Sequence, residues 1–556
     1  MGSLAAPKQF EVLILGAGLS GICSLHHIRE RFPEWTVGVL EAGSNVGGTW
    51  FWNRYPGARF DSESISYCFS WDKELLEEWH WKEAFSPQPD TERYIQRVCE
   101  KHNLYQDIQF DTRIKAAKWQ EHSRTWLFTD EAGLEYETRF FVSCLGFLSS
   151  PTLPNIPGVD DFHGQAFHTS RWPSNLNMSR DFAGRRVGVI GTGATGIQTI
   201  TEIAKEPNIK SLTVFQRTAN WSAPLRNWQI SEDEMAQLKQ NWDVTFKRCN
   251  ETPMCFLHQA DPRKSSQVSD VERLELWDKM YAEPGFGKWL GVFSDTYTDR
   301  AANKLYSDYI AEKIRGRVTR PDVAEKLIPK NHGFGTRRVP LESGYFEAFN
   351  RDNVHLVDLQ ETPIKEINGK GVSTTDGNEH ELDVMIYATG FDAITGAFGA
   401  IEWSGKFGRA LMSRSDSEKG QEAIWVDFNP RTFLGIFVPN MPNMMMVLGP
   451  HQPFGNATRS IEHAVEVVCE MLQYCKQNNV TYVEPTEEAV EAWTEHVVSC
   501  AQSALSNEVD SWMTGVNKNV AGKSVRNVAR YADNAVEYRR RCEECRSEGW
   551  VGLTLA

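Results

Sequence analysis

Residues 10–41 read F-E-V-L-I-L-G-A-G-L-S-G-I-C-S-L-H-H-I-R-E-R-F-P-E-W-T-V-G-V-L-E. Phe10 to Leu15 is a short apolar run suited to a buried strand, and it ends at the glycine turn Gly16, Gly18 and Gly21. Ile22 to Phe32 can form a helix that Pro33 stops. Thr36 to Leu40 gives a second strand, closed by Glu41, 25 residues beyond Gly16. Each glycine has a task. Gly16 permits a tight turn, Gly18 lets a pyrophosphate approach the backbone, and Gly21 lets helix and strand pack closely. The helix N-terminus offers free N–H groups to phosphate, and Glu41 can accept ribose hydroxyls. The whole strand–turn–helix–strand–acid unit is present, which a lone glycine pattern would not establish.

The unit returns further along. Arg186 to Ile190 leads into G-T-G-A-T-G, with Gly191, Gly193 and Gly196, and Ser211 to Phe215 forms its second strand. Here Arg217 stands 26 residues after Gly191, where the first unit carries its acid. A cation at that place pairs with a 2′-phosphate, so NADPH is favoured over NADH. Two such loops imply an α/β fold with two Rossmann-like dinucleotide-binding domains, one for a flavin and one for a nicotinamide. Val384 to Tyr387 and Met444 to Leu448 read as late strands that rejoin the first sheet. The polar stretch between the two halves of the second unit reads as a helical insertion. The expected division is a first part of the flavin domain over 1–148 and a first part of the nicotinamide domain over 149–226. The insertion then covers 227–332, and the two domains resume over 333–384 and 385–556.

Composition narrows the class. The 556 residues carry a formal charge of −15, which disfavours nucleic acid, since phosphate binding needs a basic face. No apolar run approaches the ~18 residues of a membrane span, and Met1 to Gln9 has no apolar leader core. Ala6, in place of Ser or Thr, argues against myristoylation at Gly2. Eleven cysteines without framework spacing suit reduced thiols in the cytoplasm. No His/Cys/carboxylate spacing suggests a metal, and no obligate protein partner is evident.

Between the glycine loops lies F-H-G-Q-A-F-H-T-S-R-W-P, with Phe162, Gly164, His168, Trp172 and Pro173 at fixed spacing. Gly47 to Asp61 reads G-G-T-W-F-W-N-R-Y-P-G-A-R-F-D, Gly333 to Arg338 reads G-F-G-T-R-R, and Ala388 to Asp392 reads A-T-G-F-D. On these four stretches the chain resembles the Baeyer–Villiger monooxygenases over nearly its whole length. The Trp172–Pro173 ending favours ketones over the amines and thioethers of related flavin monooxygenases. Arg337 stands where that family often has lysine.

The resemblance implies FAD, NADPH and O₂ acting on a small ketone to give an ester or lactone by way of a C4a-peroxyflavin. It also implies Arg338 as the catalytic cation and Asp61 as the carboxylate that orients it. Thr49, Trp50, Trp52, Tyr67 and Ile114 join Gly16, Gly18, Gly21, Glu41 and Asp61 as implied FAD contacts. Arg59, Phe60, Thr192, Thr195, Gln198, Thr218, Arg337, Arg338 and Trp512 join Gly191, Gly193, Gly196 and Arg217 as implied NADP contacts. Tyr55 is read as core filling, and His168 as part of a hinge rather than a general base. Oxidation of sulfur or nitrogen is the alternative activity. A disulfide reductase using Cys542 and Cys545 is a rival of another class.

Overall fold

The computed structural model describes residues 6–414 and 423–556, so the reading made on Gly2 lies outside the described residues. The first sheet is built around strand Lys8–Leu15, which pairs in parallel with Val37–Leu40 on one side and Glu135–Ser143 on the other. Ile108–Gln109 extends it beyond Val37–Leu40. The antiparallel strands Ile114–Gln120 and Thr125–Asp130 extend it beyond Glu135–Ser143. Val12, Ile14, Ile22, Leu25 and Val39 are fully buried between this sheet and its helices. That is why the strands read as near-continuous apolar runs rather than alternating ones.

The helix after the first glycine turn spans Leu19–Arg31, beginning three residues earlier than the apolar pattern suggested. It packs against the long helix Ala457–Asn478 from the other end of the chain. Met444–Met446 pairs in parallel with Phe141–Ser143, so a late strand does rejoin the first sheet. Its three methionines are buried core, as their unbranched side chains suit.

Val384–Tyr387 does not rejoin that sheet. It pairs with Arg186–Ile190 and with Gln165–His168, inside the second sheet. The second sheet is all parallel, in the order Val354–Asp358, Ser211–Gln216, Arg186–Ile190, Val384–Tyr387, Gln165–His168. The expected boundary at 384/385 therefore cuts a strand, and the second unit extends through Tyr387. Sequence pattern could not show this, because an apolar strand of four residues fits either sheet equally well.

Between the halves of the second unit the chain runs through helices Glu232–Lys239, Trp242–Glu251, Asp270–Ala282, Arg300–Arg315 and Pro321–Leu327. Ser231, Ser269 and Asp299 cap three of them by accepting backbone N–H bonds. Among the described residues no helix is long and apolar enough to cross a membrane.

Candidate active site between the two glycine loops

Both glycine turns open into one cavity of about 1210 Å³. Gly16 and Gly191 hold φ near +102° and +110°, a left-handed turn that side chains resist. A Cβ on either would stand 2.5 Å from a carbonyl of the neighbouring strand end, Cys144 or Ala388. The A-T-G stretch is thus pressed against the second turn. Gly21 and Gly196 are the two expected cofactor residues that do not line the cavity. A Cβ there would lie 1.8 Å from the Gly16 carbonyl oxygen and 2.3 Å from that of Gly191, so both serve helix–strand packing.

The other expected residues share the cavity wall: Gly16, Gly18, Glu41, Thr49, Trp50, Trp52, Arg59, Phe60, Asp61, Tyr67, Ile114, Gly191, Thr192, Gly193, Thr195, Gln198, Arg217, Thr218, Arg337, Arg338 and Trp512. Glu41 is buried and accepts the N–H groups of Ala17 (2.7 Å) and Gly43 (2.6 Å). Burial raises its pKa, while these amide bonds favour the ionised form.

Arg338 Nη1 lies 2.8 Å from Asp61 Oδ2, which also accepts the Leu341 N–H at 3.1 Å. The Asp61 side chain is fully buried, whereas that of Arg338 is 30% exposed towards the cavity. Burial pushes the Asp61 carboxyl above its ordinary pKa, and Arg338 pulls it back. Among the described residues, Asp61 Oδ1 has no hydrogen-bond partner.

Tyr55 is not mere core. Its hydroxyl donates to Gln198 Oε1 at 2.8 Å, and Gln198 Nε2 donates to the Arg59 carbonyl at 3.2 Å. The tyrosine thus ties the Gly47–Asp61 segment to the helix of the second glycine loop, and it lines the cavity. Burial raises the phenol to about 12, so it stays a donor. The sequence signal was there in the shared motif, but an aromatic near a glycine turn fits core filling equally well.

Arg217 and Arg337 both face the cavity, and burial lowers the pKa of each, Arg337 being further lowered by Arg217. Arg337 Nε is buried with no hydrogen-bond partner among the described residues. Two guanidiniums held close together in this way fit a phosphate group, which would satisfy the orphaned donor. The glycine cradle at the first turn and the orphaned arginine at the second are what a flavin dinucleotide and NADP require.

His168 does not line the cavity. Its Nε2–H donates to the Gly390 carbonyl at 3.1 Å, and its Nδ1 accepts the Ser170 N–H at 3.1 Å. Burial lowers its pKa to about 4, so it is a neutral tie between the edge strand Gln165–His168 and the A-T-G-F-D loop. Its neighbour Arg171, which the sequence reading left without a role, does line the cavity and lies over the Trp52 ring at 4.3 Å.

Trp512 reaches the wall because its segment is anchored on the same A-T-G-F-D loop. Lys523 pairs with Asp392 and donates to Thr395 Oγ1 at 2.8 Å, and Asn517 Nδ2 donates to the Phe391 carbonyl at 2.9 Å. The helical insertion supplies Met254, Phe256, Phe286 and Trp289 to the wall, facing Phe454 and Ile461. No local motif marks these apolar residues.

Cys542 and Cys545 are buried away from the cavity, and burial pushes both thiols up to about 12. A redox pair needs an accessible thiolate, so the reductase reading fails.

Two parallel glycine-turn units sharing one cavity define a flavin- and nicotinamide-dependent oxidoreductase. The flavin-binding monooxygenase-like family model matches residues 9–235. The chain is 39% identical to 2-oxo-Δ³-4,5,5-trimethylcyclopentenylacetyl-CoA monooxygenase of Pseudomonas putida, with all of both chains covered. It is 38% identical to cyclohexanone 1,2-monooxygenase of an Acinetobacter species, over 99% of this chain and 98% of that one. A crystal structure of OTEMO with FAD and NADP superposes with a TM-score of 0.91 at 39% identity, covering 99% of this chain and all of that one. The chain belongs to the Baeyer–Villiger monooxygenases, FAD- and NADPH-dependent flavoproteins.

Proposed function

We propose that this enzyme converts a small, largely apolar ketone into an ester or lactone, with one oxygen atom of O₂ entering the product and the other leaving as water. NADPH supplies the two electrons. Bound FAD, reduced by NADPH, supplies the chemistry that activates oxygen. The observation that carries the reading is the Asp61–Arg338 pair in the wall of a cavity reached by both glycine loops.

Addition to a ketone carbonyl puts negative charge on its oxygen, and a guanidinium that keeps its proton stabilises that charge without donating it away. Asp61 holds Arg338 through a short ion pair on its buried side, leaving the rest of the guanidinium to the cavity. The apolar wall of Met254, Phe256, Phe286, Trp289 and Phe454 receives the hydrocarbon part of the ketone and keeps water out. The residues around Gly16–Gly18, Glu41, Thr49–Trp52, Tyr67 and Ile114 would hold FAD. Arg59–Phe60, Gly191–Thr195, Gln198, Arg217–Thr218, Arg337–Arg338 and Trp512 would hold NADP. Residues 1–148 and 388–556 would form the flavin domain, with the nicotinamide domain and its insertion between them. The eleven cysteines are all free thiols, which supports a cytoplasmic site of action.

The test is to incubate the FAD-loaded protein with NADPH, O₂ and a panel of cyclic and linear ketones, with products read by mass spectrometry. An ester or lactone formed in step with NADPH consumption is expected. Recovery of all consumed NADPH as hydrogen peroxide across the panel would sink the reading. Sulfoxide or N-oxide as the only products would assign the heteroatom alternative instead.

A further inference from the structure

The helix Leu19–Arg31 carries His26, His27 and Glu30 at the end away from its glycine turn. Their donor atoms all lie within 4.8 Å of one another, although no spacing in the sequence suggested a metal. His26 Nε2 stands 3.6 Å from Glu30 Oε2, the four-residue step that puts two side chains on one helix face. The His26 ring lies flat on Trp71, with centroids 4.1 Å apart and planes 13° from parallel. Stacking covers the ring's face and leaves its edge, where a lone pair points, free to ligate. His102 packs 4.4 Å from His26 and is itself fixed by Asp72 at 2.6 Å.

We propose that His26, His27 and Glu30 form a site for a borderline divalent transition-metal ion, with Zn²⁺ as the ion to test. Two imidazole nitrogens and one carboxylate suit Zn²⁺, Ni²⁺ or Cu²⁺, whereas Mg²⁺ and Ca²⁺ favour all-oxygen sets. Zinc bonds of about 2.0–2.1 Å bridge donors separated as these are after a small side-chain adjustment, with water completing a tetrahedron.

The surrounding charge agrees. Arg29 is paired with Asp107 at 3.1 Å and Arg31 with Glu466, so neither guanidinium stands unopposed beside the ion. The ion would sit in the last turns of the helix, where the unpaired carbonyls favour positive charge. None of the three residues lines the cavity, so the site is separate from the oxidation chemistry.

The test is calorimetric titration of chelator-treated, FAD-loaded protein with ZnCl₂, repeated for His26→Ala and for Glu30→Gln. Glu30 is largely exposed, so its variant should fold, and retained flavin absorbance checks that both do. One equivalent should bind the wild type, with affinity lowered at least tenfold in both variants. Substituting the cobalt ion should give visible absorption bands of a tetrahedral site that both variants lose. Absence of saturable binding by the wild type, or wild-type affinity in either variant, would overturn the proposal.

Discussion

Arg338 has one side held by a buried carboxylate and the other open to the cavity, and that asymmetry defines its use. A charge placed to meet an anion that forms during reaction is typically worth about 3–4 kcal/mol of barrier. Arg338→Ala should therefore slow ester formation by about 10²–10³-fold, while NADPH still bleaches the bound flavin under anaerobic conditions. Stopped-flow absorbance separates the two steps, and an equal loss in both would make Arg338 a cofactor-binding residue only. Both partners were legible in the sequence from their motifs. Their contact was expected only through the family resemblance, since 277 positions separate them and local pattern carries no information at that range. Tyr55 shows the converse failure: its motif was read, but its hydrogen bond to Gln198 depends on how two units pack.

At the scale of elements, each glycine turn is a strand and helix brought closer than any side chain allows. A Cβ at Gly196 would overlap the Gly191 carbonyl, which is backbone and cannot swing aside. Gly196→Ala should thus push the helix Ala194–Lys205 off its strand, costing roughly 1–3 kcal/mol as overpacking does. The expected readout is a raised KM for NADPH with flavin content preserved, because the first turn is untouched. Loss of FAD on purification with KM unchanged would contradict this assignment of the two turns. The elements were the most legible level. The strands Arg186–Ile190 and Val384–Tyr387 formed where the apolar runs put them, and the first helix formed too, starting three residues earlier than expected.

At the scale of the whole molecule, the F-H-G-Q-A-F-H-T-S-R-W-P string forms the edge strand Gln165–His168 of the second sheet and the turn after it, rather than a free hinge. Its His168 fastens that strand to the A-T-G-F-D loop, on which the Trp512 segment is also anchored. The histidine is kept neutral, with a folded pKa of about 4 against an ordinary 6.5. The unfolded chain takes up a proton below pH 6.5 while the folded protein refuses it until about 4, so this contribution is present above 6.5 and fades as pH falls. The loss is roughly 3 kcal/mol at most. Between pH 7 and pH 5 the wild type should lose more thermal stability than His168→Gln, whose side chain does not titrate. Parallel loss in both would remove His168 from the pH response.

The sequence by itself determined the two nucleotide units, their order and the family, because apolar runs, glycine turns and motifs are local and leave local traces. It also named the candidate site residues, through the family resemblance its motifs carry. Only the tertiary structure decided which sheet Val384–Tyr387 enters and that Tyr55 meets Gln198. It alone brought the apolar wall of the insertion to the cavity. These depend on packing between distant segments, where burial and shape rather than residue type choose the partner.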